Sequence, residues 1–250
     1  MLKKRIIPIL LIKNGVIVKT VNFINPRIVG DIKSTVQVFA NRLADELCII
    51  DIDAAKNRTI DFDLVEKIAK IANMPLSYGG YVNDLDTAKN LYNVGIDKLI
   101  VRSCIFENEN EIEKISGWFG YQSIIANIDY IGSGKNAICI YGPYNKSKGG
   151  KILSVIERIN NMNIGEILLN SVDRDGMMTG YDIETLKMVK SKTKYPVIIS
   201  SGCGTLQDAL DGFTFEADAI AAGSLFYWVG ESIITLKSFL YEKNIPIRMK

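Results

Sequence analysis

The feature that most constrains this sequence is an internal repeat that covers most of its length. Residues 75–80 and 196–201 lie 121 positions apart, and each begins with proline, continues in a strand-like run and ends in small residues. The same offset places 95–98 over 216–219, and segments nearer the amino terminus match at offsets of 120 and 118. The two halves, about 1–121 and 122–250, are therefore diverged copies of one unit.

The repeated unit alternates short apolar runs with amphipathic stretches. The runs are continuous in Ile, Leu and Val, which is typical of parallel strands buried on both faces. Eight such strands alternating with helices predict one (β/α)₈ barrel domain over 1–250, closed from two half-barrels. A doubly wound open sheet is the alternative, but equal halves do not favour its switch point. The predicted strands are 5–12, 47–52, 75–79, 97–102, 123–129, 165–170, 196–201 and 218–223, and the predicted helices include 62–72, 85–94, 110–119, 152–160, 183–191 and 206–213.

Two connections are longer than the usual two to six residues. One follows the first predicted strand, from 13 to about 34, and contains a strand-like segment at 16–21 that includes Lys19. The other follows the fifth strand, from 131 to 150. Both leave the carboxyl ends of strands, where barrel active sites are built, so we predict that these loops serve function.

Composition excludes several classes of function. The chain is 48% hydrophobic and 23% charged with a formal net charge of +2, so no strong field favours nucleic acid or an acidic membrane surface. No apolar run approaches the ~20 residues that span a bilayer. Four cysteines without CxxC spacing indicate reduced thiols in a cytoplasmic protein. The lack of histidine excludes Ser-His-Asp and Cys-His catalysis, and we predict neither a metal nor a cofactor.

Glycine-containing loops follow three strands of the second half. They are Asp175-Gly176, the segment around Gly202, and Gly223-Ser224. Backbone N–H groups in such loops can face an anion, and a side chain at Gly202 or Gly223 would obstruct it. Each glycine by itself could simply make a tight turn. The three together, at the usual barrel phosphate position, predict a site for a phosphorylated small molecule.

The first half lacks an equivalent copy of this site. Tyr81 stands where the second half has Gly202, and Arg102 stands where it has Gly223. A ring and a long guanidinium would crowd the space that a phosphate needs near the backbone. Arg102 could instead bind an anion through its side chain. The repeat therefore predicts one open anchor and one obstructed anchor.

Acidic residues end several of the predicted strands. Asp129 ends the fifth strand and Asp51 the second, so each is a candidate acid, base or ligand-orienting group; the alternative is a helix cap or a loop ion pair. Asp173 and Asp175 are balanced between a site and a self-bonded turn. The counterpart of Asp129 in the first half is Leu11, so the two halves do not supply a carboxylate pair.

The sequence resembles the HisF family, the cyclase subunits of imidazole glycerol phosphate synthase, over about residues 1–245. The resemblance is carried by residues 4–8, Glu46-Leu47 with Asp51-Ile52, 165–169, the Asp-Arg-Asp-Gly run at 173–176, Gly-Tyr-Asp at 180–182, and Gly223-Ser224. It implies a (β/α)₈ barrel that forms a heterodimer with a HisH-like glutaminase. In this family ammonia from glutamine travels through the barrel to a substrate with a phosphate at each end.

The resemblance also assigns roles to particular positions. Lys19, Asp51 and Asp129 match catalytic, substrate-end residues, and Asp97 matches a residue on the glutaminase-facing side. One phosphate site is matched by Asp175, Gly176, Gly202, Gly223 and Ser224. The gate of two cation–glutamate pairs at the bottom of the family's barrel is matched by Arg5, Glu46, Lys98 and Glu166. A plain salt-bridge plug is the alternative interpretation of those four charges.

Other positions depart from the family pattern. The family's catalytic aspartate on the first strand is Leu11 here, and losing a general acid or base typically costs roughly 10²–10⁴-fold in rate. A HisF-like branch with Leu-Leu at this point, which residues 10–15 and 18–21 resemble, is associated with acetamidino groups on surface-polysaccharide sugars. There the barrel and its glutaminase supply ammonia to a separate sugar amidotransferase. The sequence thus favours an ammonia-supplying subunit; the alternatives are an authentic histidine-pathway cyclase, a lyase, and a non-catalytic activator of a glutaminase.

Overall fold

The computed structural model describes residues 3–142, 145–227 and 229–249. Its strands form one sheet in which parallel pairs join eight strands and antiparallel pairs add two hairpins. The strands are β1 (Arg5–Lys13), β2 (Val16–Val21), β3 (Ile24–Gly30), β4 (Leu47–Asp51), β5 (Leu76–Gly79), β6 (Lys98–Val101), β7 (Ile124–Ile131), β8 (Ile138–Tyr141), β9 (Ser147–Lys151), β10 (Glu166–Ser171), β11 (Val197–Ser200) and β12 (Ala219–Ala222).

Helices connect the barrel strands, and polar side chains fix where many of them begin. Asp and Ser side chains at the amino ends of six helices accept backbone N–H groups, and Thr205 with Asp208 forms a reciprocal capping box. The helices are α1 (Ile32–Asn41), α2 (Ile52–Asn57), α3 (Phe62–Ile71), α4 (Leu85–Asn93), α5 (Cys104–Glu107), α6 (Glu109–Phe119), α7 (Ile152–Ile159), α8 (Ile183–Lys190), α9 (Leu206–Thr214), α10 (Ser224–Tyr227) and α11 (Ile233–Glu242).

Eight parallel strands close into a barrel in the order β1, β4, β5, β6, β7, β10, β11 and β12. The closure is direct, because Ile6 of β1 pairs with Ile220 of β12 while Leu10 of the same strand pairs with Ile49 of β4. The predicted (β/α)₈ barrel is therefore confirmed, and the open doubly wound sheet is excluded. All eight predicted barrel strands are present, with ends within a few residues of those expected.

Apolar side chains form two separate layers. The larger lies between the outside of the barrel and the helices that surround it. The smaller fills the barrel interior with branched and small residues contributed by the strands. This inner layer separates the two ends of the barrel, so polar groups at one end reach the other only through it. Its members are Ile7, Cys48, Ile100, Ile125, Leu168, Ile198, Ala219 and Ala221.

The internal repeat is visible as a repeated hydrogen bond. The carboxylate of Asp97 accepts the backbone N–H of Leu76 at 2.8 Å, and 121 positions later Asp218 accepts the N–H of Val197 at the same distance. Both aspartates lie at the amino ends of barrel strands. The two halves therefore keep the same local device for fixing where a strand begins.

The two long connections are hairpins rather than the irregular loops expected from the sequence. β2 and β3 form a hairpin after β1, and β8 and β9 form another after β7. The strand-like segment 16–21 is confirmed as β2, but β3, β8 and β9 were missed. β3 is largely exposed and contains Pro26, and β9 reads Ser-Lys-Gly-Gly-Lys, so neither has the apolar alternation by which strands are recognised.

The structure also shows the state of the cysteines and the lengths of the helices. All four cysteines are buried and unpaired, and burial raises the pKa of the Cys48 thiol to about 12, which makes it a poor nucleophile. Across the described ranges, every helix is too short or too polar to cross a membrane.

Candidate functional site

The carboxyl ends of the barrel strands surround an open cavity of about 400 Å³, called the mouth below. Every catalytic and phosphate-binding candidate predicted from the sequence lines it, although these residues come from six different segments of the chain. Their assigned roles stay predictions, but the barrel does bring them together. They are Lys19, Asp51, Asp129, Asp175, Gly176, Gly202, Gly223 and Ser224.

Asp129 lies buried at the end of β7 with both carboxylate oxygens occupied. Arg102 Nη1 donates to Oδ2 at 2.6 Å. The side-chain amides of Asn127 and Asn170 donate to Oδ1 at 3.1 and 2.8 Å. Ser201 in turn donates to the amide oxygen of Asn170 at 2.7 Å. Both oxygens of this carboxylate are therefore engaged by donors of the protein itself.

Arg102 also connects the barrel to the β8–β9 hairpin. Its guanidinium donates to Asn145 Oδ1 at 2.8 Å and to the carbonyl of Gly142 at 3.2 Å. With Asp129 as the third partner, three of the five guanidinium N–H donors are used within the protein. The sequence left open whether Arg102 offers a replacement anion contact. In this structure those three donors hold the hairpin and pair with Asp129.

The floor of the mouth is divided between the two half-barrels. The first half contributes apolar side chains, Ile9, Leu11, Ile50 and Ile100. At three of the four repeat-related positions the second half contributes polar residues, since Asn127, Asp129 and Asn170 stand where the first half has Ile9, Leu11 and Ile50. The fourth position, opposite Ile100, is Ala221. Leu11 faces the cavity, so the position that is repeat-related to Asp129 contributes no carboxylate.

Asp51 is committed to holding the backbone. Its Oδ1 accepts the N–H of Ala54 at 2.8 Å and caps α2, and its Oδ2 accepts the hydroxyl of Tyr78 at 3.2 Å. Burial raises the pKa of Asp51, partly opposed by these hydrogen bonds. Asp51 is thus a helix cap, which was the alternative to a site role in the interpretation of the sequence. A catalytic role for Asp51 stays a prediction.

The glycines of the phosphate-type loops sit where backbone segments pass close to one another. A Cβ at Gly202 would lie 2.2 Å from the carbonyl oxygen of Gly180, and one at Gly176 would lie 2.2 Å from that of Thr20. Both glycines have positive φ, +98° and +71°. At Gly223 the space beside Cα is taken by the ammonium group of Lys19. Packing alone therefore requires glycine at two of these positions, whereas Gly223 leaves room for a cation.

Lys19 is a buried cation at the edge of this cradle. It comes from β2, and its Nζ lies 3.4 Å from the carbonyl oxygen of Ile9 and above the ring of Tyr227. Burial lowers the pKa of Lys19 to about 8, and the charge of Asp175 opposes the shift only in part. An anion bound at Gly223 would supply the countercharge that Lys19 lacks.

Asp175 fastens the β2–β3 hairpin over the mouth. Its Oδ2 accepts the Thr20 hydroxyl at 2.5 Å and the Phe23 N–H at 3.1 Å, and its carbonyl accepts the N–H of Asn22 at 2.9 Å. Burial raises the pKa of this carboxyl, with the hydrogen bonds from Thr20 and Phe23 acting against it. The hairpin that carries Lys19 is therefore positioned by one residue of the predicted phosphate loop.

Of two further residues noted in the sequence, Tyr81 lines the mouth and Asp173 lies outside its lining. Asp173 accepts the backbone N–H of Gly132 at 2.7 Å, so it ties two loops together. Tyr81 has a φ of 57° and lines the cavity. Its repeat counterpart Gly202 has the same sign of φ at 98°. The two halves therefore share the backbone conformation at this position, but the first half carries the phenol ring of Tyr81 where the second half has no side chain.

Four charged side chains at the opposite end of the barrel form a closed ring, called the gate ring below. Lys98 Nζ contacts Glu46 at 2.8 Å and Glu166 at 2.7 Å. Arg5 contacts Glu46 at 2.9 Å and also pairs with Glu166. Each cation thus bridges both glutamates. The four residues predicted as an ammonia gate do lie together at the amino ends of the strands.

The ring is buried enough to change the ionisation of its members. Burial would lower the pKa of Arg5, but hydrogen bonds and charges from Glu166 and Glu46 outweigh it and raise that pKa. Burial would raise the pKa of Glu166, yet Arg5 and Lys98 lower it. Glu46 Oε1 is buried without a hydrogen-bond partner among the described residues. The pairing therefore favours the charged forms of Arg5 and Glu166, and one acceptor of the ring is unused.

Asp97 lies next to the ring in sequence and is exposed at the same end. One of its oxygens holds the N–H of Leu76, as described above. Its repeat counterpart Asp218 pairs with Lys190 at 2.6 Å, whereas no cation within the described part of the chain pairs with Asp97. This exposed carboxylate therefore differs from its copy in having no countercharge.

Sequence reasoning did not identify the polar residues that surround Asp129. Asn127 and Asn170 have no motif, and only a comparison of the halves, in which Ile9 and Ile50 stand at their positions, singles them out. Among the described residues, acidic and thiol groups do not gather in threes in any arrangement able to hold a metal ion. The mouth instead offers buried amides, hydroxyls, backbone groups and five basic side chains, namely Lys13, Lys19, Lys56, Arg58 and Arg102.

Comparison with known proteins agrees with this architecture. Residues 5–230 match the family model described as histidine biosynthesis protein. The chain is 37% identical to a Leptospira borgpetersenii protein named "Putative imidazole glycerol phosphate synthase subunit HisF", over 92% of each chain. It is 35% identical over the full length of both chains to a Campylobacter jejuni protein named "Putative imidazole glycerol phosphate synthase subunit hisF2". An "Imidazole glycerol phosphate synthase subunit HisF" from Dictyoglomus turgidum is 34% identical, again over the full length of both.

Proposed function

The chain belongs to the HisF family, and on that premise we propose that it conducts ammonia without performing the cyclase reaction. In this proposal a HisH-like glutaminase binds the gate-ring end and releases ammonia into the barrel. The ammonia leaves at the mouth and is used by a separate amidotransferase to form an acetamidino group on a surface-polysaccharide sugar. The protein is then a HisF-type synthase subunit whose ammonia route is kept and whose cyclase chemistry is lost.

The observation that carries the proposal is the ion pair between Arg102 and Asp129. Cyclisation in the family needs an acid–base pair from the first and fifth barrel strands, and here one member is Leu11 while the other is neutralised at 2.6 Å. A general acid or base contributes roughly 10²–10⁴-fold to a rate. The loss of one and the sequestration of the other leave the mouth without a proton-transfer pair.

Features at the opposite end support a glutaminase partner. The gate ring is complete, and the exposed carboxylate of Asp97 has no countercharge among the described residues. Exposed apolar side chains accompany it at the amino-terminal end of the barrel, namely Leu43, Trp118 and Tyr121. An apolar surface with an unpaired charge is suited to a protein interface.

The mouth favours a ligand with a single phosphate. Lys19 beside Gly223 can balance one anion, whereas the repeat-related anchor holds the Tyr81 ring and the committed guanidinium of Arg102. A substrate with a phosphate at each end would have to displace both. A phosphorylated ligand with one anionic end is therefore the better match.

An authentic cyclase subunit of histidine biosynthesis, a lyase, is the second candidate. It is favoured by the printed names of the relatives and would require Asp129 to act alone or with Lys19. Complementation separates the two candidates. A histidine auxotroph that lacks its cyclase subunit should not grow when this chain is expressed with its glutaminase, and robust growth would establish the cyclase.

A third possibility is a scaffold that only activates a glutaminase, and the gate ring provides the test. Lys98→Met removes the bridge between both glutamates, so we expect product formation driven by glutamine to change while product formation driven by added ammonium is unaffected. Lys237→Met is a matched control, because Lys237 forms a buried pair with Asp45 at 2.7 Å outside the ring. Equal effects of the two variants on glutamine-driven transfer would favour the scaffold.

A further inference from the structure

One buried acceptor in the mouth has no hydrogen-bond partner among the residues that the structure describes. Asn127 is 8% exposed, and its Nδ2 donates to Asp129, which fixes the direction of the amide. The oxygen on the other side, Oδ1, is buried without a hydrogen bond. Such a group costs about 1–3 kcal/mol unless a donor reaches it. Because Asn127 lines the mouth cavity, a small donor from that cavity can do so.

The position of Asn127 along the barrel is informative. It follows Ile125 by two residues on β7, so it is the next inward-facing residue above the apolar interior layer. One further buried oxygen without a partner among the described residues, Glu46 Oε1, lies lower in the barrel in the gate ring. Asn127 Oδ1 lies nearer the mouth than this acceptor.

The surroundings select an uncharged donor. The carboxylate that could hold a cation, Asp129, has its oxygens occupied by Arg102, Asn127 and Asn170. Arg102 and Lys19 both line the cavity and disfavour another positive charge. An amide oxygen accepts N–H donors from neutral and charged molecules alike, so the preference for a neutral donor comes from the two cations near it.

We propose that Asn127 Oδ1 is the binding site for neutral ammonia at the point where it leaves the barrel interior. The inference rests on the proposed function, since it presumes that ammonia arrives through the gate ring. Asn127 lies in the polar half of the floor, and none of the roles implied by the family resemblance was assigned to it. Asn127 holds the ammonia, and Arg102 keeps Asp129 from capturing it as ammonium.

Binding is tested directly with ammonium chloride as the probe. In the barrel–glutaminase complex carrying isotope-labelled asparagine, the side-chain amide signals of Asn127 and Asn170 are followed by NMR and assigned with Asn127→Ala and Asn170→Ala. At mildly alkaline pH, where more of the probe is uncharged, the Asn127 signal should shift saturably. It should not respond at mildly acidic pH or to potassium chloride. No shift, or the same shift with potassium chloride, overturns the site.

Transfer supplies the second test. Asn127 and Asn170 donate to the same oxygen of Asp129, but the Asn170 oxygen is already bonded to Ser201, so Asn170→Ala is a matched control. Asn127→Ala should lower product per glutamine by about three- to tenfold, the effect of losing one hydrogen bond, and Asn170→Ala should do so much less. Equal effects overturn the site. If Lys98→Met also leaves transfer unchanged, the proposed function itself fails; if only Asn127→Ala is silent, this inference alone fails.

Discussion

Arg102 Nη1 lies 2.6 Å from Asp129 Oδ2 at the centre of the mouth, and the pair joins two positions at which the half-barrels disagree. The repeat places Gly223 opposite Arg102 and Leu11 opposite Asp129. The pair therefore joins one residue from each half, and neither residue has an identical counterpart in the other half. The guanidinium engages a carboxylate of the mouth that is a candidate acid or base from the sequence.

The pair should be strongly coupled in stability. Arg102→Met leaves Asp129 buried without its guanidinium, and we expect a loss of about 1–3 kcal/mol in the free energy of unfolding, less than for a fully buried pair because Arg102 is partly exposed. Asp129→Asn should be destabilising as well. The double variant should recover part of the loss in urea unfolding, whereas strictly additive effects would contradict the coupling.

Leu11→Asp should not restore cyclisation. The new carboxylate would stand on the apolar side of the mouth while Asp129 stays bonded to Arg102 and the Tyr81 ring keeps the second anchor closed. Turnover of a doubly phosphorylated cyclase substrate, assayed with added ammonium to bypass the glutaminase, should stay at background. Leu11→Asn is the control for polarity without ionisation. Cyclase turnover by Leu11→Asp alone would mean that Asp129 is free to act.

Anion binding should depend on the ionisation of Lys19. Its pKa in the folded protein is about 8, below the ordinary 10.5, because burial penalises the ammonium form. Sulfate keeps the same charge on both sides of about pH 8, so it reports the charge of Lys19 alone. Its affinity should be constant below about pH 8 and should fall as the pH rises above that value. Calorimetric titration checks this, with Lys19→Met expected to bind weakly at every pH.

The lowered pKa of Lys19 should also make the free energy of unfolding depend on pH. Anion affinity should fall as the pH rises, whereas this stability should increase. Between about pH 8 and 10.5 the unfolded chain keeps the Lys19 proton that the folded chain releases, so the free energy of unfolding should rise with pH in that window. The increase should be absent from Lys19→Met. An identical pH profile for the two proteins would show that Lys19 is not desolvated.

Asp175 should hold the β2–β3 hairpin closed. Asp175→Ala removes the acceptor of the Thr20 hydroxyl and the Phe23 N–H, and opening of the hairpin should become easier by about 1–3 kcal/mol. Trypsin cleavage after the exposed Arg27 should accelerate accordingly. Asp173→Ala is the control, because that neighbour bonds Gly132 rather than the hairpin. Equal cleavage of both variants would argue against the fastening role of Asp175.

The barrel was predictable because its signals are redundant. Continuous apolar runs of strand length recur eight times. The internal repeat assigns four of them to each half. The hairpins were not predictable in the same way, since β9 is built from Ser, Lys and Gly and owes its pairing to the neighbouring β8. Phe106, which stacks on Tyr141 and would clash with a side chain at Gly149, supports that hairpin through a contact distant in sequence.

The sequence predicted which residues line the candidate site better than it predicted the hydrogen bonds among them. Lys19, Asp129 and Asp175 could be assigned to the mouth because strand ends meet there. That Asp175 would hold a hairpin, or that Arg102 would turn toward Asp129, depends on side-chain directions set by packing across the barrel. The unpartnered oxygen of Asn127 also emerges only once the amide is oriented by Asp129.

The placement of Asp97 beside Lys98 has a mechanical consequence. Asp97 presents a carboxylate outward and grips the first N–H of β5, while the next residue along the chain reaches inward to both glutamates. Under the proposed function, a glutaminase that displaced Asp97 on docking would also displace Lys98, because a single peptide link joins the two residues. Binding at the outer surface would then change the spacing of the four charges inside the barrel.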